Sequence, residues 1–177
     1  MKKSLFKQLV NSIFLGLILL LGSAPGYAAC EDAPAPNVNW AKCDLSGKDL
    51  KNKDLTGAVM TGAILDNADL TGAILINADL NFASLVNARF DNARMTDSRL
   101  VAVKAEGASF KAAHLENSRL SRSHLKNTNF TSVRADRANF YDAKLPSADF
   151  TGAVMKKATF ERSDLTRADF SRAIMHE

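Results

Sequence analysis

The residues of this chain best suited to chemistry are three histidines, two cysteines and a series of aspartates. His114, His124 and His176 would have to converge to hold a metal or form a proton-transfer pair. Asp44, Asp49, Asp54, Asp69 and Asp79 recur at multiples of five residues, and carboxylates gathered in that number would bind a hard cation. Cys30 and Cys43 are the only cysteines. In an oxidising compartment such a pair forms a disulfide; elsewhere it stays as free thiols. A bridge would close a loop of about 14 residues, worth ~3 kcal/mol. No Gly-rich phosphate loop, zinc-ligand spacing or nucleophile elbow occurs. Whether any of these groups meet depends on the elements that carry them.

Those elements follow a period of five. From Leu45 to Met175 every fifth residue is Leu, Phe or Met, except Ala105 and Ala135. Two residues before each stands, in most cases, a small residue, Ala in 17 of 27. On an α-helix five residues advance by about 500°, so these side chains would share no face. On a straight strand an odd period sends every second one to the opposite side. The pattern requires a chain that turns a corner in each repeat. Small and large apolar residues, two apart, then both point inward, and the other three face water or form the corner. Gly47, Gly57, Gly62, Gly72, Asn77, Asn87, Asn92 and Gly152 occupy the corner position, where Gly and Asn suit turn geometry. One repeat cannot bury its apolar pair, but stacked coils can.

The phenylalanines set the coil. Phe90, Phe110, Phe130, Phe150 and Phe170 recur every 20 residues, as do Phe140 and Phe160. Four repeats per coil place the first five in one interior column and the other two on the opposite side. The expected fold is an all-β solenoid of about 20 residues per coil, nearly seven coils and roughly 30 Å long. Ala105 and Ala135 support this packing. Val103 and Val133, two residues before them, are the only valines at the small position, so volume lost at one site is restored at its neighbour. In the same frame His114 and His124 fall on opposite faces, and His176 lies about three coils from His114. The aspartates fall on successive faces. The expectation is therefore no catalytic site, no metal, no cofactor and no small-molecule substrate.

Ala68-Asp69-Leu70-Thr71-Gly72, Ala78-Asp79-Leu80-Asn81-Phe82 and Ala168-Asp169-Phe170-Ser171-Arg172 resemble the A-(D/N)-L-X-X signature of pentapeptide-repeat proteins. The resemblance implies a right-handed quadrilateral β-helix. It also brings a functional alternative, because the best-known relatives protect gyrase by mimicking DNA. Those relatives act in the cytoplasm and present a strongly acidic surface.

The chain outside the repeats reads as a leader and a cap. Lys2, Lys3 and Lys7 precede an apolar run from Leu9 to about Gly22, followed by small residues up to Ala29. That order is a secretory signal, residues 1–28, with cleavage after Ala28. The run is shorter than the ~20 residues a membrane-spanning helix needs. Residues 29–42 read as an N-terminal cap, with Trp40 over the first coil and Cys30–Cys43 holding it; residues 43–177 form the β-helix. A second reading makes Cys30 the lipidated residue of an envelope lipoprotein, although Tyr27 is a poor choice for that signal. Phe160, Leu165, Phe170 and Met175 would form an uncovered last coil, a surface for a homodimer.

Charge excludes some partners. The leader holds three of the 23 Lys and Arg residues, which leaves 20 against 19 acidic residues. Neither nucleic-acid binding nor nucleic-acid mimicry follows from a near-neutral balance. Cys30–Asp97 carries 6 basic and 10 acidic residues, and Ser98–Glu177 carries 14 and 9. Val59, Ile64, Ile74, Ile76, Phe82 and Val86 are expected to be exposed and to mark a partner surface. The resulting expectation is an exported, periplasmic or secreted, non-enzymatic scaffold for an unidentified protein partner.

Overall fold

The computed structural model describes residues 28–176. The expected leader, apart from Ala28, lies outside the described residues. From residue 36 onward the chain is a four-sided coil. Each repeat has two turn residues, an inward small residue, a bridging residue and an inward large residue. All bridges are parallel and join residue n to n+20, from Asn39–Val59 to Val154–Ile174. Bridged residues are single, so each side of the coil is a very short extended segment between corners.

The corner is the local reason for the fold. Every fifth residue from Asn37 to Arg172 has φ between about 54° and 69°. Except at Val103 and Ser123, the residue after each corner donates its N–H to the carbonyl three residues back, as Ala58 does to Leu55 at 3.0 Å. A positive φ at the third turn residue with this bond is the type II pattern. Gly72 shows why small corners help: a side chain there would run into the Asn52 amide of the coil below.

The ladder between coils uses three more N–H groups of each repeat. Leu65 donates to the Ser84 carbonyl at 2.7 Å, Asn67 to Val86 at 2.8 Å, and Ile64 to Cys43 at 2.9 Å. The pattern repeats along the rod, so the backbone is almost fully paired without long strands.

We designate the walls by their large inward residues. Face 1 carries Phe90, Phe110, Phe130, Phe150 and Phe170; face 2 carries Leu55 through Met175. Face 3 carries Trp40 through Phe160, and face 4 carries Leu45 through Leu165. On face 1 the rings stack at centroid distances of 4.6 to 5.2 Å. Phe140 and Phe160 stack at 4.7 Å on face 3. The two columns meet across the interior, where Phe140 sits edge-on to Phe130 and Phe150 at 5.8 Å. Such contacts add about 0.5–1.5 kcal/mol each beyond area burial. Val103, Ala105, Val133 and Ala135 are all fully buried.

Two placements differ from the sequence reading. Trp40 does not lie over the first coil. It occupies the large inward position of a repeat beginning at Pro36, with Val38 at the small position and Asn39 bridged to Val59. The reason is that Val38 and Trp40 fit the inward pair, although neither belongs to the Ala–Leu pattern. The segment lying across this end is Cys30 to Pro34, which faces Trp40, Leu45 and Leu50 over an open cleft of about 380 Å³. Lys48 and Lys53, at small positions, are exposed and line that cleft, because no coil lies beneath them to enclose their side chains.

Polar residues at small positions are sorted by what their hydroxyls reach. The Ser123 hydroxyl donates to the Leu100 carbonyl at 2.7 Å and accepts from the Val103 N–H at 3.2 Å, bridging the corner of the coil below. The Ser98 hydroxyl is buried with no partner. Ser123→Ala should therefore cost about 1–3 kcal/mol, since it orphans a buried N–H and a carbonyl. Ser98→Ala should be neutral or stabilising, and chemical denaturation of the two variants checks the contrast.

Candidate functional site

The histidines singled out for chemistry remain apart. His114 is on face 2 and His124 on face 4, and the bridges carry His114 through Arg134 and Val154 to Ile174 before His176 is reached. His114 Nδ1 is 3.3 Å from Glu116 Oε1, which also accepts from Arg134 Nε at 3.1 Å. His124 Nδ1 lies 3.6 Å from Glu106. Among the described residues no group of three His, Cys, Asp or Glu side chains could hold a metal ion. Cys30 and Cys43 form a disulfide, with Cα atoms 5.4 Å apart.

The aspartates have a structural role that their sequence positions did not reveal. The Asp44 carboxylate accepts from the Ser46 N–H at 3.0 Å and from its hydroxyl at 2.6 Å. Asp54 does the same with Thr56, and Asp164 with Thr166. Asp49, Asp69 and Asp79 accept the N–H two residues on. These are Asx turns that use the one N–H the coil ladder leaves over. At three other turns a side chain of the coil below accepts this N–H: Asp66 takes that of Val86, Asn81 that of Val101, and Asp136 that of Lys156. The readable signal was Asp or Asn two residues before Ser or Thr, as in Asp44-Leu45-Ser46.

A surface of outward side chains on four walls is therefore what the fold offers. Ion pairs link coils, as in Arg99–Asp79 at 2.7 Å and Lys51–Asp69 at 3.4 Å. Arg89, Arg94, Arg99 and Lys104 fall on four different faces and form no single patch. Of the expected exposed apolar residues, Val59, Ile64 and Phe82 are exposed, whereas Ile74, Ile76 and Val86 are half-buried among their coil neighbours.

With the geometry in place, comparison decides the family. A pentapeptide-repeat model of eight copies matches residues 41–75 and 73–111, and a pentapeptide repeat region model matches 106–176. The chain belongs to the pentapeptide-repeat family. Among solved structures it is similar to QnrB1, a plasmid-mediated fluoroquinolone resistance protein, at 21% identity over 79% of this chain and 81% of that one, TM-score 0.52. It is also similar to HetL, a pentapeptide repeat protein involved in heterocyst differentiation regulation from the cyanobacterium Nostoc. That match has 24% identity, covers 78% of this chain and 76% of the other, and has a TM-score of 0.42. No curated protein matches. At 21% identity the likeness to QnrB1 shows the fold alone, the right-handed quadrilateral β-helix of pentapeptide-repeat proteins.

The Asx turns give this pentapeptide-repeat coil an acid sensitivity. The Ser46, Thr56 and Thr166 hydroxyls, and then their N–H groups, hold Asp44, Asp54 and Asp164 below the ordinary carboxylate value. A folded-state value lower than the unfolded one contributes stability that is present above about pH 4 and lost as pH falls through the depressed values. The melting temperature should be flat from about pH 7 to 5 and fall below about 4. Asp44→Asn, Asp54→Asn and Asp164→Asn together keep the acceptor but not the charge, and should flatten that acid slope.

Proposed function

We propose that this chain is an exported, non-enzymatic scaffold whose outward side chains bind a protein partner and whose C-terminal coil stacks on a second copy. The observation that carries this reading is the unbroken ladder. From Asn39 to Ile174 each bridge follows the last by five residues, so no inserted loop builds a pocket among the described residues. What varies most from repeat to repeat is the outward surface, and a rigid rod of that kind is suited to recognition.

Export is supported by the basic, apolar and small-residue order of residues 1–28 and by the Cys30–Cys43 bond, which needs an oxidising compartment. The same bond weighs against a lipid anchor at Cys30, because its sulfur is already committed. A gyrase-protecting DNA mimic is disfavoured by the interleaving of 20 basic with 19 acidic residues after the leader's three lysines are set aside.

The homodimer is supported by the last described coil. Phe160, Leu165 and Phe170 are half-buried, and Met175 is 48% exposed. The N–H groups of Phe160, Leu165 and Phe170 have no backbone acceptor among the described residues. An apolar end with open edge groups is self-complementary in a two-fold stack.

Expression of the full chain in a bacterial host tests this reading. Cleavage after Ala28, recovery outside the cytoplasm and thiols that alkylate only after reduction are expected; free thiols in the exported chain would remove the staple. In sedimentation at micromolar concentration the cleaved protein should be a dimer and Met175→Glu a monomer. A monomeric parent would overturn the stacking.

A further inference from the structure

The corner between faces 3 and 4 departs from the other corners. Phe82 stands there with φ 61°, the only aromatic residue among the positive-φ positions. A bulky L-residue is strained in this region, which Gly and Asn occupy with ease. The ring is 66% exposed, so burial within the coil does not offset that strain. Its neighbours along the corner, one coil below and one above, are Gly62 and Ala102, so the ring projects from the edge. Val59 and Ile64, 37% and 40% exposed, flank the corner one coil below.

Basic residues continue the same edge. Lys104 lies on face 4, Arg119 on face 3 and Arg122 on the corner itself, two coils or roughly 10 Å beyond Phe82, while Lys126 stands at the far corner of face 4. None of these four is ion-paired among the described residues. Nearby carboxylates are engaged: Asp79 with Arg99, Glu106 with His124, and Asp66 with the Ser84 hydroxyl and the Val86 N–H. Asp142, next on the corner after Arg122, limits the basic stretch on its C-terminal side.

We propose that this edge rests on an anionic lipid bilayer. Phe82, Val59 and Ile64 enter the boundary between headgroups and acyl chains, and Lys104, Arg119 and Arg122 lie among the phosphates. Charge complementarity calls for an anionic surface. The convex shape favours a bilayer over a protein, because a ring projecting from a corner needs a matching pocket in a rigid partner, whereas lipid yields around it. This inference does not depend on the proposed function.

The test places a fluorescent probe at the edge. Full chain carrying Phe82→Trp is mixed with phosphatidylcholine vesicles, with or without phosphatidylglycerol. The native Trp40 is 2% exposed and supplies a constant background, read from the parent chain. Emission should shift to the blue and be quenched by brominated acyl chains on the anionic vesicles, and hardly change on neutral ones. Lys104→Glu with Arg122→Glu should weaken the response at least tenfold, at roughly fivefold per basic residue. Vesicle binding through the apolar segment near the N-terminus alone would leave residue 82 in water, without shift or quenching, and would overturn the proposal. So would a response indifferent to the charge reversals, or one given by a soluble protein and not by vesicles.

Discussion

A left-handed corner every fifth residue is the constraint on which the rest of this structure depends. It bends the chain by about a quarter turn, so four repeats close a coil and residue n comes to lie on residue n+20. Closure then satisfies the backbone. Within a repeat, one N–H completes the turn and three join neighbouring coils. In about half of the repeats the last goes to an Asx side chain of the same repeat or of the coil below, and elsewhere it faces outward. A side of the square holds too few residues for an ordinary strand, yet hardly any buried polar backbone group is left over.

Stacking converts this geometry into a core. Small and large residues alternate inward, the large ones meet in columns, and the Phe columns of faces 1 and 3 interlock edge to face across the interior. Volume is conserved locally where it departs from the pattern, as at Val103 with Ala105 and Val133 with Ala135. The interior is thereby filled, and most variation is left to the outside. Surface ion pairs such as Arg99–Asp79 contribute only about 0–1 kcal/mol each, so outward residues can change with little effect on the fold. That freedom is what makes one corner bearing Phe82 and unpaired cations informative.

Most of the architecture was legible because it is periodic. A five-residue spacing that fits neither helix nor strand demanded corners, and Phe residues 20 apart gave the coil. Singular features were less legible. Val38 and Trp40 carry the inward pattern without Ala or Leu, so the first repeat read as a cap. Ser123 and Ser98 look alike as small residues, but only the first bridges a coil below, a difference set by backbone placement. The turn role of the aspartates was less legible because a carboxylate two residues from its own turn N–H leaves no apolar trace. Half-burial of Ile74, Ile76 and Val86 depends on neighbours one coil away, whose bulk no local window contains.

Cross-linking across the coils tests the twenty-residue stack most directly. Ser109 and Asn129 are bridged on face 1, and paired residues in such a ladder lie about 5 Å apart, within disulfide reach. Ser109→Cys with Asn129→Cys should oxidise readily to an internal disulfide and leave the protein folded. Ser109→Cys with His124→Cys, fifteen residues apart and on adjacent faces, should not. Efficient bonding of the second pair and not the first would mean that the chain closes in three repeats, and the assignment of faces, columns and edges would fail with it.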